Sequence, residues 1–179
     1  LPANQELTGA EVHLLELSDK ETRLKSALQA VQDDYDYIYV DCPPSLNMLT
    51  VNALVAAHTV LIPMQCEYFA LEGISALTHT IAQIKAVLNP ELEIEGVLRT
   101  MFDPRNNLAV DVAHQLQQHF GDRVYNTVIP RNVRLAEAPS HGIPALVYDK
   151  LSAGAKAYLT LAGEVLRRDN VPFSEITVQ

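Results

Sequence analysis

The chain has 179 residues, 22 of them acidic and 13 basic, for a formal net charge of −9. That length suits one compact domain with a single core, and the acidic balance excludes nucleic-acid binding by bulk charge, leaving only a local patch or an assembled oligomer. No run of about 18 apolar residues occurs, so no membrane-spanning helix is expected; no basic and apolar leader opens the chain, and Leu1 in place of Met leads to the expectation of a processed or partial chain.

Val12, Leu14, Leu15 and Leu17 among polar residues point to a short helix over 8–17. Ser18 or Asp19 reads as the N-cap of a second helix over 19–32, whose apolar stripe is Leu24, Ala27, Leu28 and Val31. Tyr37-Ile38-Tyr39-Val40 is a β-prone run that stops at Asp41-Cys42-Pro43-Pro44, because neither proline can donate to a ladder. Ser45 reads as the cap of a helix over 46–56. Thr59-Val60-Leu61-Ile62 is a second strand closed by Pro63, and a long helix follows over 70–88 with Leu71, Ile74, Leu77, Ile81, Ile84 and Leu88. A third strand is expected over 94–101 with Gly96 inside it, then a helix over 107–120 ended by Gly121. A fourth strand over 124–129 is closed by Pro130. The last helix, over 151–168, ends in Arg167-Arg168, favourable charges for a helix C-terminus. Residues 169–179 carry no period and read as a loose tail.

The elements alternate strand and helix, and the strands are apolar throughout rather than alternating. Such strands are buried on both faces of a parallel sheet, so the expected fold is α/β with helices on both faces. Ligands in open parallel sheets bind beyond the carboxyl ends of the strands. Three of those exits carry polar, proline-bearing segments: Asp41 to Ser45, Pro63 to Glu67, and Pro130-Arg131-Asn132. Chemistry is expected there.

Asp41 follows an apolar strand directly, the pattern in which a buried strand carries a carboxylate that holds magnesium through water. The bland alternative is a carboxylate that caps the next loop. Cys42 and Cys66 are too few for a disulfide framework and have no metal-binding spacing, so both are expected as buried free thiols. The six histidines are scattered without ligand geometry. Glu67 and Glu72 read as solvated carboxylates rather than an acid and base pair. Ser45, His141 and Asp41 lack the glycine pattern of a nucleophile elbow. Arg131 and Arg134, three apart, share one side of a turn and by themselves read as surface ion-pair partners.

Three longer strings narrow this. Tyr35-Asp36-Tyr37-Ile38-Tyr39-Val40-Asp41-Cys42-Pro43-Pro44-Ser45 resembles the Walker B segment of the ParA/Soj family of chromosome and plasmid partitioning ATPases. The string from Pro63 to Gly73 (PMQCEYFALEG) resembles the family's next signature, and the string from Val128 to Gly142 (VIPRNVRLAEAPSHG) a third. The likeness runs over nearly the whole chain, so 1–168 is expected to be the C-terminal part of one ParA-type ATPase domain. The resemblance implies a deviant Walker A P-loop NTPase fold, here truncated at its N-terminal side. It implies a cytoplasmic, nucleoid-associated protein that dimerises around ATP and magnesium, with no membrane partner. It also implies non-specific DNA binding by the ATP-bound homodimer, and hydrolysis stimulated by a ParB-like adaptor bound at a centromere-like site. Asp41 matches the magnesium-side aspartate; Pro130 and Arg131 match a segment flanking the adenine; Arg105 and Arg134 match the DNA-binding surface, which Lys150 is expected to join. The family's glycine-rich phosphate loop is a departure: no Gly-Lys-Thr or Gly-Lys-Ser string occurs in these residues. This chain by itself is therefore expected to bind ATP weakly or not at all and to be inactive. The alternatives are a non-catalytic interaction module and a MinD-like cell-division positioner. The second usually ends in a basic amphipathic helix, whereas the tail here is acidic.

Overall fold

The structure is a computed structural model that describes residues 6–43 and 45–171. Most of the expected tail therefore lies outside the described residues. The chain divides into two compact units, Leu1–Val60 with Ala76–Glu93, and Leu61–Ser75 with Ile94–Gln179.

The first unit holds α1 (Glu6–Leu15), α2 (Arg23–Leu28), α3 (Met48–Ala56) and the larger part of α4 (Ala70–Val87). Both α1 and α2 pack on α3. Two buried asparagines organise the packing. Asn52 accepts the Leu24 N–H at 3.1 Å and donates to the carbonyls of Lys20 and Met48. Asn89 donates to the carbonyls of Leu54 and Ala57 at 3.0 and 2.8 Å, satisfying groups that the end of α3 leaves orphaned. Ala53, Leu54, Val55, Ile81, Ile84 and Leu92 are buried around them. The α2 helix is shorter than the 19–32 pattern implies, because Asp19 folds a turn: its carbonyl accepts the Thr22 N–H and its carboxylate pairs with Arg23 at 2.6 Å. The cap of α3 is Asn47, which accepts the Thr50 N–H at 2.9 Å, and not Ser45, whose carbonyl accepts the Thr50 hydroxyl instead.

The expected strand over Tyr37 to Val40 is not formed. Residues 37–43 have no regular secondary structure and are exposed, and the sheet does not include them. An apolar run becomes a strand only where a neighbour takes its N–H and C=O groups in a ladder, and the described sheet assigns it none. Cys42 is exposed with it, contrary to the expectation of burial, while Cys66 is buried.

The second unit is built on the sheet β1-β2-β3, formed by β1 (Thr59–Gln65), β2 (Glu93–Phe102) and β3 (Val124–Pro130). β2 and β3 run parallel. Pro63 lies within β1 rather than ending it; β1 stands at the edge of this sheet, where proline is tolerated because outward-facing N–H groups have no ladder partner. The helices α5 (Asn107–Phe120) and α8 (Ala153–Arg168) pack on β3. Their buried faces are Ala109, Val112, Ala113 and Leu116 on α5, and Ala155, Leu161 and Val165 on α8. The core joins Leu98, Tyr125, Ile129, Leu161 and Val165, with Leu61, Leu135 and Ala157 against it. Gly96 is required in β2: a Cβ there would stand 2.6 Å from the Arg123 carbonyl oxygen and 2.7 Å from the Tyr125 ring. Two short helices, α6 (Val133–Glu137) and α7 (Ala145–Tyr148), fill the connection from β3 to α8.

Candidate functional site

The carboxyl ends of the three strands open into a cleft of about 240 Å³. β1 supplies Gln65 and the following Cys66 and Glu67; β2 supplies Met101, Phe102 and then Asp103; Asn106 and Ala109 come from the start of α5, and Arg131 follows β3. The strand ends are locked in register, with Phe102 opposite Pro130 and the Arg131 N–H donating to the Phe102 carbonyl at 3.3 Å. Met101 has φ of 49°, a left-handed conformation that costs a non-glycine residue energy and turns the strand end. Asn106 caps α5, its side chain accepting from Leu108 N and Ala109 N. This is the crevice in which open α/β sheets hold ligands.

Its electrostatics are set by Asp103. The carboxylate accepts Arg105 Nε at 2.9 Å, Arg105 Nη2 at 2.7 Å and the Arg105 backbone N–H at 3.0 Å. Those hydrogen bonds, helped by the charges of Arg105 and Arg131, bring its pKa down to about 2. The Cys66 thiol is pushed up by burial, with Arg99 opposing, which favours an inert thiol.

Of the expected site residues, the cleft gathers Arg131 directly, Pro130 beside it at the end of β3, and Arg105 through Asp103. Arg134 lies on α6, paired with Glu137 at 2.8 Å and Asp149 at 3.4 Å. Lys150 is exposed and follows Asp149. Asp41 belongs to the first unit, in the exposed segment 37–43, and is not among the residues lining the cleft. Its neighbour Cys42 donates to the Val40 carbonyl at 3.6 Å; partial desolvation of the otherwise exposed thiol, then the Asp41 charge, raises its pKa. A single exposed carboxylate fits magnesium, which keeps several waters and takes one or two carboxylates besides phosphate oxygens. Among the described residues no group of three or more His, Cys, Asp or Glu side chains gathers as a metal site.

Sequence reasoning missed Asp103, Glu137 and Asp149 as partners of the arginines. The Asp-x-Arg and Arg-x-x-Glu spacings were the available signals, the second being a helical i, i+3 pair. Asp149 meets Arg134 only through the fold.

Residues 1–94 match a family model described as an AAA domain. An uncharacterized protein of Pseudomonas putida is 64% identical over 172 residues, 96% of this chain and 65% of that one. The sporulation initiation inhibitor protein Soj of Bacillus subtilis is 55% identical, over 92% of this chain and 65% of its own length. The chromosome-partitioning ATPase Soj of Treponema pallidum is 51% identical, over 94% and 67%. The chain thus spans 65% of the length of the first two of these relatives. A crystal structure of cobyrinic acid a,c-diamide synthase from Mycobacterium smegmatis, with bound ATP analog and magnesium, superposes with a TM-score of 0.77 at 35% identity. It covers 95% of this chain, which spans 62% of that one. The cell division ATPase MinD of Pyrococcus furiosus, at 23% identity and TM-score 0.67 over 82% of this chain and 58% of its own, shares the fold. On these matches the chain belongs to the ParA/Soj family of chromosome-partitioning ATPases.

Proposed function

We propose that the chain is the C-terminal part, 1–168, of a partitioning ATPase that segregates a chromosome or plasmid. The observation that carries this reading is the strand-exit cleft with Pro130 and Arg131 on its rim, in a chain 51% identical to a chromosome-partitioning ATPase. In the full-length protein, Pro130 and Arg131 flank the adenine at the end of β3. Asp41 would hold magnesium, and the metal would supply charge neutralisation at the phosphates. The phosphates need backbone N–H groups and a lysine that no Gly-Lys-Thr or Gly-Lys-Ser string provides in these 179 residues. The acting species is therefore the longer protein, as an ATP-bound homodimer. Arg105 and Arg134 of each subunit meet DNA phosphate without reading sequence, and a ParB-like adaptor stimulates hydrolysis. The protein works in the cytoplasm at the nucleoid. No described helix is long and apolar enough to cross a membrane.

Steady-state ATP hydrolysis tests the reading. The full-length protein turns over ATP with magnesium, and Asp41→Ala lowers kcat by about 100-fold or more, as loss of a positioned charge at phosphoryl transfer does. The 179-residue chain alone shows no phosphate release and no calorimetric ATP binding. Wild-type turnover in the Asp41→Ala protein would remove Asp41 from the magnesium site, and micromolar ATP affinity of the short chain would require a different nucleotide site.

A further inference from the structure

Arg134 is held on α6 by two carboxylates. Its Nη1 donates to Glu137 Oε2 at 2.8 Å, and its Nε lies 3.4 Å from Asp149 Oδ2. Glu137 also accepts the Tyr148 hydroxyl at 3.2 Å, and the Tyr148 ring stacks on His141 with centroids 4.9 Å apart. Asp149 follows α7 and is fixed by its own backbone, its N–H donating to the Ala145 carbonyl and its carboxylate accepting the Leu151 N–H. Arg105 is in the same condition, with its guanidinium forked onto both oxygens of Asp103 while its side chain is 88% exposed. A fork of two parallel N–H groups onto two oxygens is also the arrangement by which arginine takes a phosphate. The same donor edges therefore face either a carboxylate of this chain or a phosphate of the ligand. A carboxylate left beside the bound phosphate repels it.

We propose that Asp103, Glu137 and Asp149 are built-in competitors for DNA phosphate, holding the arginine surface in a low-affinity state. The proposal rests on the DNA-binding role assigned above to Arg105 and Arg134. Exposed ion pairs are weak and screened by salt, which suits a mask that a polyanion displaces. One subunit with masked arginines then binds poorly. Two linked subunits on one duplex double the donors, and once one subunit is bound the phosphates stand at high effective concentration before the donors of the other.

The test is fluorescence anisotropy of the full-length protein with ATP, on a random-sequence duplex at fixed low salt. Glu137→Gln, Asp149→Asn and Asp103→Asn remove one charge each and keep an acceptor for the Tyr148 hydroxyl, the Leu151 N–H and the Arg105 N–H. Each is expected to tighten binding by about two- to five-fold, the worth of an exposed pair. Asp122→Asn is the control: Asp122 precedes the seven-residue β3 whose far end leads to Arg134, a span of roughly 23 Å at strand rise. It is expected to leave affinity unchanged. Arg134→Ala separates the proposal from the reading beneath it. If Arg134→Ala weakens binding while the three neutral variants tighten nothing, the mask is wrong and the DNA role stands. An equal gain in Asp122→Asn would reduce the effect to net charge and overturn the mask. If Arg134→Ala changes nothing, the DNA role falls and the mask with it.

Discussion

Arg99 and Glu164 hold opposite sides of one irregularity in β3. Between the pairs Val97 with Val124 and Arg99 with Val128, β2 advances two residues (97 to 99) and β3 advances four (124 to 128); from there to Phe102 with Pro130, β2 advances three and β3 two, so β3 carries one extra residue over the whole pairing. Arg99 Nη2 donates to the carbonyls of Tyr125 and Asn126 at 3.0 and 3.3 Å. The Glu164 carboxylate accepts the N–H groups of Asn126 and Thr127, both at 2.8 Å. Arg168 closes the arrangement, donating to Glu164 and to the Val124 carbonyl at 3.1 Å while its guanidinium lies 4.0 Å from the Tyr125 ring centroid. The backbone groups that the bulge removes from the ladder are thus satisfied by side chains.

Glu164 is 5% exposed, so its removal leaves two backbone donors without their acceptor and Arg168 without its carboxylate partner. Glu164→Ala is expected to cost about 2–4 kcal/mol in urea unfolding, and Glu164→Gln less because the amide still accepts. Burial pushes the Glu164 pKa up, but the hydrogen bonds from Thr127, Asn126 and Arg168 outweigh it, so the folded value lies below the ordinary 4.5. A lowered folded pKa contributes stability that is present above the unfolded value. That contribution is lost as pH falls through the folded value. Below about pH 4.5 wild-type stability therefore declines, and Glu164→Gln shows a shallower decline over the same range. Equal slopes for the two proteins would show that Glu164 is not the titrating group.

Gly96→Ala places a methyl group 2.6 Å from a backbone carbonyl oxygen and 2.7 Å from the ring of Tyr125, which is fully buried. Neither neighbour is the free end of a flexible chain, so β2 and β3 must move apart. The expected loss is about 2–3 kcal/mol, the range of overpacked cores, read as a lower denaturation midpoint with unchanged m-value. An unaltered midpoint would mean that the two strands separate there at no cost.

Asp103 is expected to titrate at about 2, because Arg105 supplies three N–H donors to its carboxylate. In Arg105→Ala the two side-chain donors are gone, and the value moves up toward the ordinary 3.8. Carboxyl-detected NMR titration of both proteins measures this. A carboxyl that titrates near 3.8 in the wild type would show that the fork does not persist in solution.

The three strands expected over 59–62, 94–101 and 124–129 and found over 59–65, 93–102 and 124–130, with the long helices α4, α5 and α8, were legible because their apolar runs are bounded by Pro, Gly and polar segments; the short helices α6 and α7 carry no such period. The exits of β1, β2 and β3 converge as a parallel sheet requires, so the cleft was legible from Gln65 to Glu67 and from Pro130 to Arg131. Pro63 misled because proline ends a central strand but not an edge strand. The run Tyr37 to Val40 has strand composition, yet pairing is a property of a neighbour and not of the run itself. Asp149 and Glu164 were invisible for a related reason. Asp149 meets an arginine fifteen positions earlier in the chain (149 against 134), and Glu164 meets the backbone of residues 38 and 37 positions earlier. No local period records such a contact.

The arginine surface makes the last prediction. The chain carries a net charge of −9, so the proposed DNA contact would depend on concentrated positive charge rather than on the whole field. Arg105 follows β2 and Arg134 follows β3, the paired neighbours of one sheet, so the loops that bear them leave the same sheet edge. Phosphate contacts release counterions, and the logarithm of affinity falls by roughly 0.9 per contact with the logarithm of salt. Arg105→Glu with Arg134→Glu in the full-length, ATP-bound protein should therefore weaken binding and flatten the salt dependence by roughly two units of slope per subunit. Two unrelated duplexes should lose affinity alike, because phosphate contacts carry no sequence information. Anisotropy at several salt concentrations checks all three outcomes. Unchanged affinity in the double variant would place the DNA surface elsewhere, and loss on one duplex alone would mean that these side chains reach base edges.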